Sequence, residues 1–443
     1  MIRSFLSVLA LSLLAALPAR AIDIQEVTSP GGIKAWLVQD DSIPFVAVQF
    51  SFKGGASLDA EGKRGAINLM TATLEEGAGN RDSVAFAQAV EGLGAQFSFD
   101  VGDDALTVGM RALNENRDEA AALLAEALTQ PRFDDDAIER VRAQVQSIIR
   151  SEATDPQSIA AKEMARQAWG DHPYATSING TMDSVAALTR QDLVAAKNRV
   201  LARDRVVVGA AGDITPEELG QLLDTVLGGL PEQGTAPLPE PADLQLTGGV
   251  TVIDWDSPQT VVSFAGPGLA IDDPDYFAAY VANHILGGGG FSSRLMEEIR
   301  EKRGLTYGVG TTLATGVYGQ TWQGGMAGSN ATTGQAVDLI RQEWDRMAEG
   351  GVTDQELNDA KTYLTGEYPL RFDGNGSIAG ILAGMQLIGF PIDYVNTRNE
   401  KVEAVTAEDV KRVTGRLLDA DDLRFVLVGR PEGIAGTDPA PTN

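Results

Sequence analysis

The chain repeats itself, and no other feature constrains its fold as much. "LTRQDLVAAKNRVLARDRVVVGAAGD" begins at Leu188 and "VTAEDVKRVTGRLLDADDLRFVLVGR" at Val405, an offset of 217 residues. Both read as a threonine-capped helix, a short turn and a buried strand that ends in glycine. A second pair keeps nearly the same spacing: "FDDDAIERVR" from Phe133 and "VTDQELNDAK" from Val352, 219 residues apart. A sequence that recurs once at this distance predicts two copies of one domain. The length, 443 residues, agrees, because it exceeds what one core organises well.

Each copy predicts an α+β unit. "FVAVQFSFKGG" (Phe45–Gly55) alternates apolar and polar residues as a half-buried strand does, and "TVVSFAGPG" (Thr260–Gly268) takes the same place in the second copy. Two further strand-like runs follow in each: "AQFSFDVGDDALTVGMRAL" in the first, "LTYGVGTTLATGVYGQTWQGGMAG" in the second. Amphipathic helices come next, at Asp118–Leu128 and Thr332–Met347. Strands in hairpins and helices in blocks predict two homologous domains, each a largely antiparallel sheet with helices packed on one face. The expected bounds are 22–229 and 247–430. Between them, residues 230–246 form a linker rich in proline and small residues ("LPEQGTAPLPEPADLQ"), and residues 431–443 are expected to be a disordered tail.

The first 21 residues, "MIRSFLSVLALSLLAALPARA", have an export signal's parts: basic Arg3, an apolar run from Phe5 to Leu17, and the A-x-A site Ala19-Arg20-Ala21. Cleavage after Ala21 and a periplasmic location are expected. The chain has no cysteine, which excludes disulfides, thiolate metal sites and a cysteine nucleophile. A net charge of −27 disfavours nucleic acid and anionic lipid as partners.

"LGGGGFSSRLMEEIREKRGLTYGVG" (Leu286–Gly310) is the richest candidate site. Its four glycines, Gly287, Gly288, Gly289 and Gly290, open a helix but do not form a phosphate loop: no lysine stands where a Walker loop needs one, and a helical pattern precedes them where a dinucleotide fingerprint needs a strand. Phe291–Arg303 reads as a helix with Ser292 as a possible N-cap, Gly304 as its C′ residue and a strand from Leu305. The reversal at Gly304 predicts that Arg300, on the last turn, and Tyr307, on the strand, reach one surface.

This stretch resembles the C-terminal half of the pitrilysin/insulinase (inverzincin) metallopeptidases, and "HPYATSINGTMDSVAALTRQDL" (His172–Leu193) is similar to the family's segment near the end of the first domain. The family's duplicated α+β domains are also like the repeat described above. The resemblance implies that Arg300 and Tyr307, an arginine and a tyrosine with six residues between, hold the backbone of a bound peptide, and that Gly287–Gly290 contact substrate. It also implies zinc bound by H-x-x-E-H on the first long helix. Here that helix is "GAINLMTATLEEGAG" (Gly65–Gly79), and the motif's five positions read Asn68, Leu69, Met70, Thr71 and Ala72. The third ligand position falls on Ile148 or Ile149, with Glu152 near but out of register. Only two histidines exist, His172 and His284, in different halves, each read as a structural or surface residue.

A chain with the substrate pair and without the metal motif resembles the family's non-catalytic subunits. Such a chain has no cofactor and no catalytic residue of its own, pairs with a homologous zinc-carrying subunit, and contributes to peptide hydrolysis only in that complex. The other readings are a structural scaffold and a standalone peptide-binding protein. An intact Arg300–Tyr307 pair argues against a mere scaffold.

Overall fold

A computed structural model describes residues 22–438. The export signal and its cleavage point, and residues 439–443 of the expected tail, lie outside the described residues. Among the described residues no helix is long and apolar enough to cross a membrane.

The first half forms a six-stranded sheet. Its strands are β1 (Gln25–Thr28), β2 (Lys34–Gln39), β3 (Phe45–Lys53), β4 (Gln96–Val101), β5 (Ala105–Leu113) and β6 (Val206–Gly212), in the order β1-β2-β6-β3-β5-β4. The second half forms a five-stranded sheet of β7 (Gly249–Asp254), β8 (Gln259–Pro267), β9 (Thr306–Thr315), β10 (Gln320–Ser329) and β11 (Arg424–Gly429), in the order β9-β10-β8-β11-β7. Read from its β2 end, the first sheet minus β1 has the same connectivity. In both, the neighbours are antiparallel except β2 with β6 and β11 with β7. The repeated sequences occupy equivalent places. Thr189 and Thr406 each close a capping box, with Asp192 and Asp409, and the strands after those helices end at Gly212 and Gly429.

One face of each sheet carries its own half's helices and core. In the first half Phe50, Phe52, Ile67 and Met70 are fully buried; in the second, Trp344 meets Phe264 and Trp322 edge-on at 5.9 and 5.7 Å. The other face receives one helix from the opposite half. Helix Pro156–Trp169 sets Ala160 and Met164 against Ala265, Val426 and Val428 of the second sheet. Helix Asn375–Leu387 sets Ile378, Leu382 and Met385 against Trp36 and Ala211 of the first. The halves therefore complete each other's cores, which helices on one face alone did not anticipate.

Residues 230–246 contain no helix or strand, yet they are pinned: Thr235 N donates to Asn198 O, Ala242 N to Tyr318 O and Gln245 N to Ala168 O. The expected disordered tail is corrected over residues 431–438. Thr437 N donates to Val250 O, and Asp438 pairs with the buried Arg424 at 2.6 Å. Proline, glycine and charge gave these residues a tail's composition, but a buried arginine on β11 needs a counter-charge.

Candidate functional site

The positions equivalent to a zinc motif lie on helix Ala66–Thr73. Its N-terminus starts after Gly65, which has no capping side chain; the carboxylate of Asp59 accepts from Gly65 N and Ile67 N instead, each at 2.8 Å. Burial pushes Asp59 up to about 6. Leu69 and Met70 face the core, and Ala72 packs against it. Thr71 Oγ1 donates to Ile67 O at 2.7 Å, one turn back. Asn68 Nδ2 donates to Asn179 Oδ1 at 2.8 Å, and Asn179 Nδ2 donates to Glu152 Oε1 at 2.6 Å. An amide already in a chain of hydrogen bonds, a hydroxyl turned onto its own helix and a methyl do not fit zinc, which takes imidazole, thiolate or carboxylate. Among the described residues no group of three or more His, Asp or Glu side chains converges as a metal site needs. Glu152 does reach this place, through Asn179, while Ile148 is exposed and Ile149 packs on the core. The sequence register alone did not show that the end of helix Asp135–Glu152 turns its carboxylate here.

In the second half the equivalent helix is Tyr276–Asn283. It widens into π-helical turns at His284–Gly288 and again at Met296–Glu301, where Gly289 N donates to His284 O and Lys302 N to Glu297 O, five residues back. The four glycines divide into two kinds. A Cβ on Gly287 would stand 2.7 Å from Thr311 N on β9; one on Gly288 would meet Asn283, and one on Gly289 would meet His284. These three let the turn pack closely. Gly290 differs: its φ of 58° favours glycine, and a Cβ there would meet nothing. The helix spans residues 294–301 and not 291–303: a short turn at Gly290–Ser292 precedes it, and Ser293, extended, takes the N-cap place expected of Ser292.

Arg294, which the sequence did not single out, anchors this helix. It is buried, donates to Gly351 O at 2.9 Å, and forks onto Glu356 at 2.6 and 2.8 Å. Glu356 also closes the capping box of helix Asp354–Glu367 with Thr353. Burial raises its pKa, but the Arg294 fork and the Thr353 donors outweigh that and hold it down at about 2. A buried arginine is visible in sequence only when its partner is known, and Glu356 lies 62 residues away.

From that anchor the helix delivers Arg300 to the surface. Gly304, with φ 63°, turns the chain, and Gly304 N donates to Arg300 O at 2.8 Å. A β-bulge then interrupts the pairing of β9 with β10 between Thr306 and Val309, which throws Tyr307 outward, 88% exposed. Arg300 and Tyr307 line one open groove of about 580 Å³ together with Gln259, Ser329 and Thr332. Arg300 pairs with Glu301 and lies 4.6 Å above the exposed ring of Phe291. The structure thus brings Arg300 and Tyr307 to one surface; Gly287–Gly290 do not line that groove. His284 stacks on Tyr363 at 4.9 Å, and His172 lies far along the chain at a turn joining the two halves.

Comparison with known proteins agrees with this geometry. The model of the insulinase family (peptidase family M16) matches residues 34–182, and the model of the peptidase M16 inactive domain matches residues 187–364. The chain is 27% identical to a Helicobacter pylori protein named a non-peptidase homolog, over 96% of this chain and 98% of that one. It is 25% identical to an uncharacterized zinc protease of Mycobacterium leprae, over 90% and 91%. The crystal structure of a peptidase M16 inactive domain from Pseudomonas fluorescens superposes with a TM-score of 0.86 at 29% identity, covering 95% of this chain and all of that one. With both halves matched and the duplicated fold shared, this chain belongs to the insulinase (M16) family and carries that family's inactive domain.

Proposed function

We propose that the chain is the non-catalytic, substrate-binding subunit of a heterodimeric zinc peptidase that acts on unfolded peptides in the periplasm. One observation carries the reading: the half-buried Arg300 and the exposed Tyr307 line a single groove, while positions 68, 71 and 72 hold an amide, a hydroxyl and a methyl. Relatives named as zinc protease and as non-peptidase homolog support a family with both kinds of member.

The chemistry follows from the side chains. A peptide held in extended form presents carbonyl oxygens that need donors. Arg300 supplies a planar, permanently charged fork, and the exposed Tyr307 a hydroxyl donor. Zinc in the partner would supply the activated water. Tyr307, placed on a bulge at a groove edge, would then donate to the carbonyl oxygen as charge develops on it.

The test is reconstitution with the homologous zinc subunit. Arg300→Ala and Tyr307→Phe should leave assembly intact and lower turnover, on the order of 10²-fold if Tyr307 serves the oxyanion. A pair that forms but has wild-type turnover with both variants would remove the assignment. A wild-type pair with no peptidase activity would favour the scaffold reading.

A further inference from the structure

The stretch beginning His172-Pro173-Tyr174 has no part in the function above, yet four separate segments meet on it. It follows helix Pro156–Trp169, the helix that the first half lends to the second sheet. The groove of Arg300 and Tyr307 continues beneath this helix: openings of about 450 and 470 Å³ follow the first, sharing Tyr307, Ala327, Ala161 and Gly325 along the way. The helix is the roof, and the hairpin of β9 and β10 is the floor. Roof and floor come together at the end remote from Tyr307.

There Tyr174 Oη donates to Asp104, on the β4–β5 turn, and accepts from Tyr318 N at 3.0 Å. The other oxygen of Asp104 accepts from Val317 N at 3.0 Å. Val317 and Tyr318 form the tip of the β9–β10 hairpin. Trp169, at the end of the roof helix, packs edge-on against Tyr174 at 5.6 Å. Gly316 and Gly319 make room: a Cβ on Gly316 would stand 3.0 Å from Tyr174 Oη, and one on Gly319 would stand 2.7 Å from the Trp169 ring. His172 fixes the turn by accepting from Tyr174 N at 3.2 Å through Nδ1, with Nε2 3.2 Å from Glu240 O in the segment between the halves. Asp103, beside Asp104, is paired with Arg64, which also holds Thr176 O.

We propose that the His172-Pro173-Tyr174 turn is a positioning latch: through Asp104 it ties the end of the roof helix to the tip of the floor hairpin and so fixes the width of the groove leading to Arg300 and Tyr307. Tyr174 and Asp104 touch no substrate in this account. The latch itself stands on the hydrogen bonds; only its effect on peptide binding rests on the function proposed above.

Tyr174→Phe keeps the ring packing and removes both hydroxyl contacts; Asp104→Asn removes the shared carboxylate. In the full chain, amide exchange at Val317 and Tyr318 should speed by about tenfold or more in both variants, with the amides of β11 unchanged. In the reconstituted pair, KM should rise by about threefold or more with kcat unchanged, because the latch holds the binding groove and not the reacting groups. Unchanged exchange at Val317 and Tyr318 in folded variants would overturn the latch. Faster exchange with unchanged KM would overturn its link to the groove. If the wild-type pair hydrolyses no peptide, the proposed function fails while the exchange measurement still decides the latch.

Discussion

In the first half, the chain leaves helix Ala66–Thr73, makes a two-residue hairpin at Gly77–Ala78 and Arg81–Asp82, and enters an ordinary helix, Ser83–Gly92, capped by Asp82. In the second half, the same connection runs through two π-helical segments and four glycines, and ends on a bulge that exposes a tyrosine. Apart from β1, which has no counterpart in the second sheet, the two sheets have the same strand order. The duplicated units thus share five strands in one connectivity and differ in this connection. The first half has filled its site with the Asn68–Asn179–Glu152 chain; the second has kept its surface open. The π-helical segments shift the side chains that follow them, Arg300 among them, relative to the core.

If the halves are truly reciprocal, neither should fold without the other. Residues 22–229 alone would expose Trp36 and Ala211, and residues 247–438 alone would expose Ala265, Val426 and Val428. The expected outcome is the largest of all: no cooperative thermal transition for either half, and recovery when the two are co-expressed. Calorimetry of the separate halves decides it. A half that melts cooperatively by itself would break the comparison at its base.

Much of this arrangement was legible in the sequence. The Thr189 and Thr406 capping boxes, the strands ending in Gly212 and Gly429, and the paired hairpins rest on local rules that neighbours in sequence satisfy. So did the surface shared by Arg300 and Tyr307, because a helix, a glycine turn and a strand fix it locally. What was not legible depends on distant partners. The helix exchange, the Arg294–Glu356 anchor and the Asp438–Arg424 tether each join residues whose meeting no periodicity encodes. The three packing glycines, Gly287, Gly288 and Gly289, carry the same letter as Gly290, and only neighbouring atoms distinguish them.

The two borrowed helices also differ in what lies beneath them. Helix Asn375–Leu387 runs so close to β6 that a Cβ on Gly209 would stand 2.2 Å from Ala379 O. At the equivalent place on β11, 217 residues on, Val426 is fully buried beneath Ala160 and Met164. Gly209→Val should therefore cost about 3 kcal/mol or more, since backbone and not a side chain must retreat. Val426→Ala should cost about 1–2 kcal/mol through lost packing. Urea unfolding of both variants measures the asymmetry, and equal costs would show that the two contacts are equally close.

Acid should separate the halves in opposite senses. The buried Asp59 binds its proton more tightly folded, at about 6 against 3.8 unfolded, so its contribution grows as pH falls through that window and is a penalty above it. Glu356, held at about 2 against 4.5, contributes fully above 4.5 and loses that contribution as pH falls toward 2. The difference is on the order of 3 kcal/mol for the buried Asp59 and on the order of 2 kcal/mol for the partly exposed Glu356 with solvent screening taken into account. Stability of wild type minus Asp59→Asn should rise from pH 6 to 4, and wild type minus Glu356→Gln should fall from pH 4.5 to 2. Slopes of the same sign would contradict the assigned environments.

The smallest effect bears most directly on what a filled and an open site contribute. Asn68 is half-buried, and its amide holds Asn179, which holds Glu152. Asn68→Ala removes the first link and leaves Asn179 without that donor, at a cost of about 0.5–1.5 kcal/mol. Tyr307 is 88% exposed on a bulge, so Tyr307→Phe should leave stability within about 0.5 kcal/mol of wild type. Tyr307 shares the open groove with Arg300 and exposes most of its surface, so its hydroxyl has little packing to lose. Should Tyr307→Phe destabilise the chain as much as Asn68→Ala, the tyrosine would be part of the packing, and the contrast between a closed first half and an open second half would lose its clearest residue.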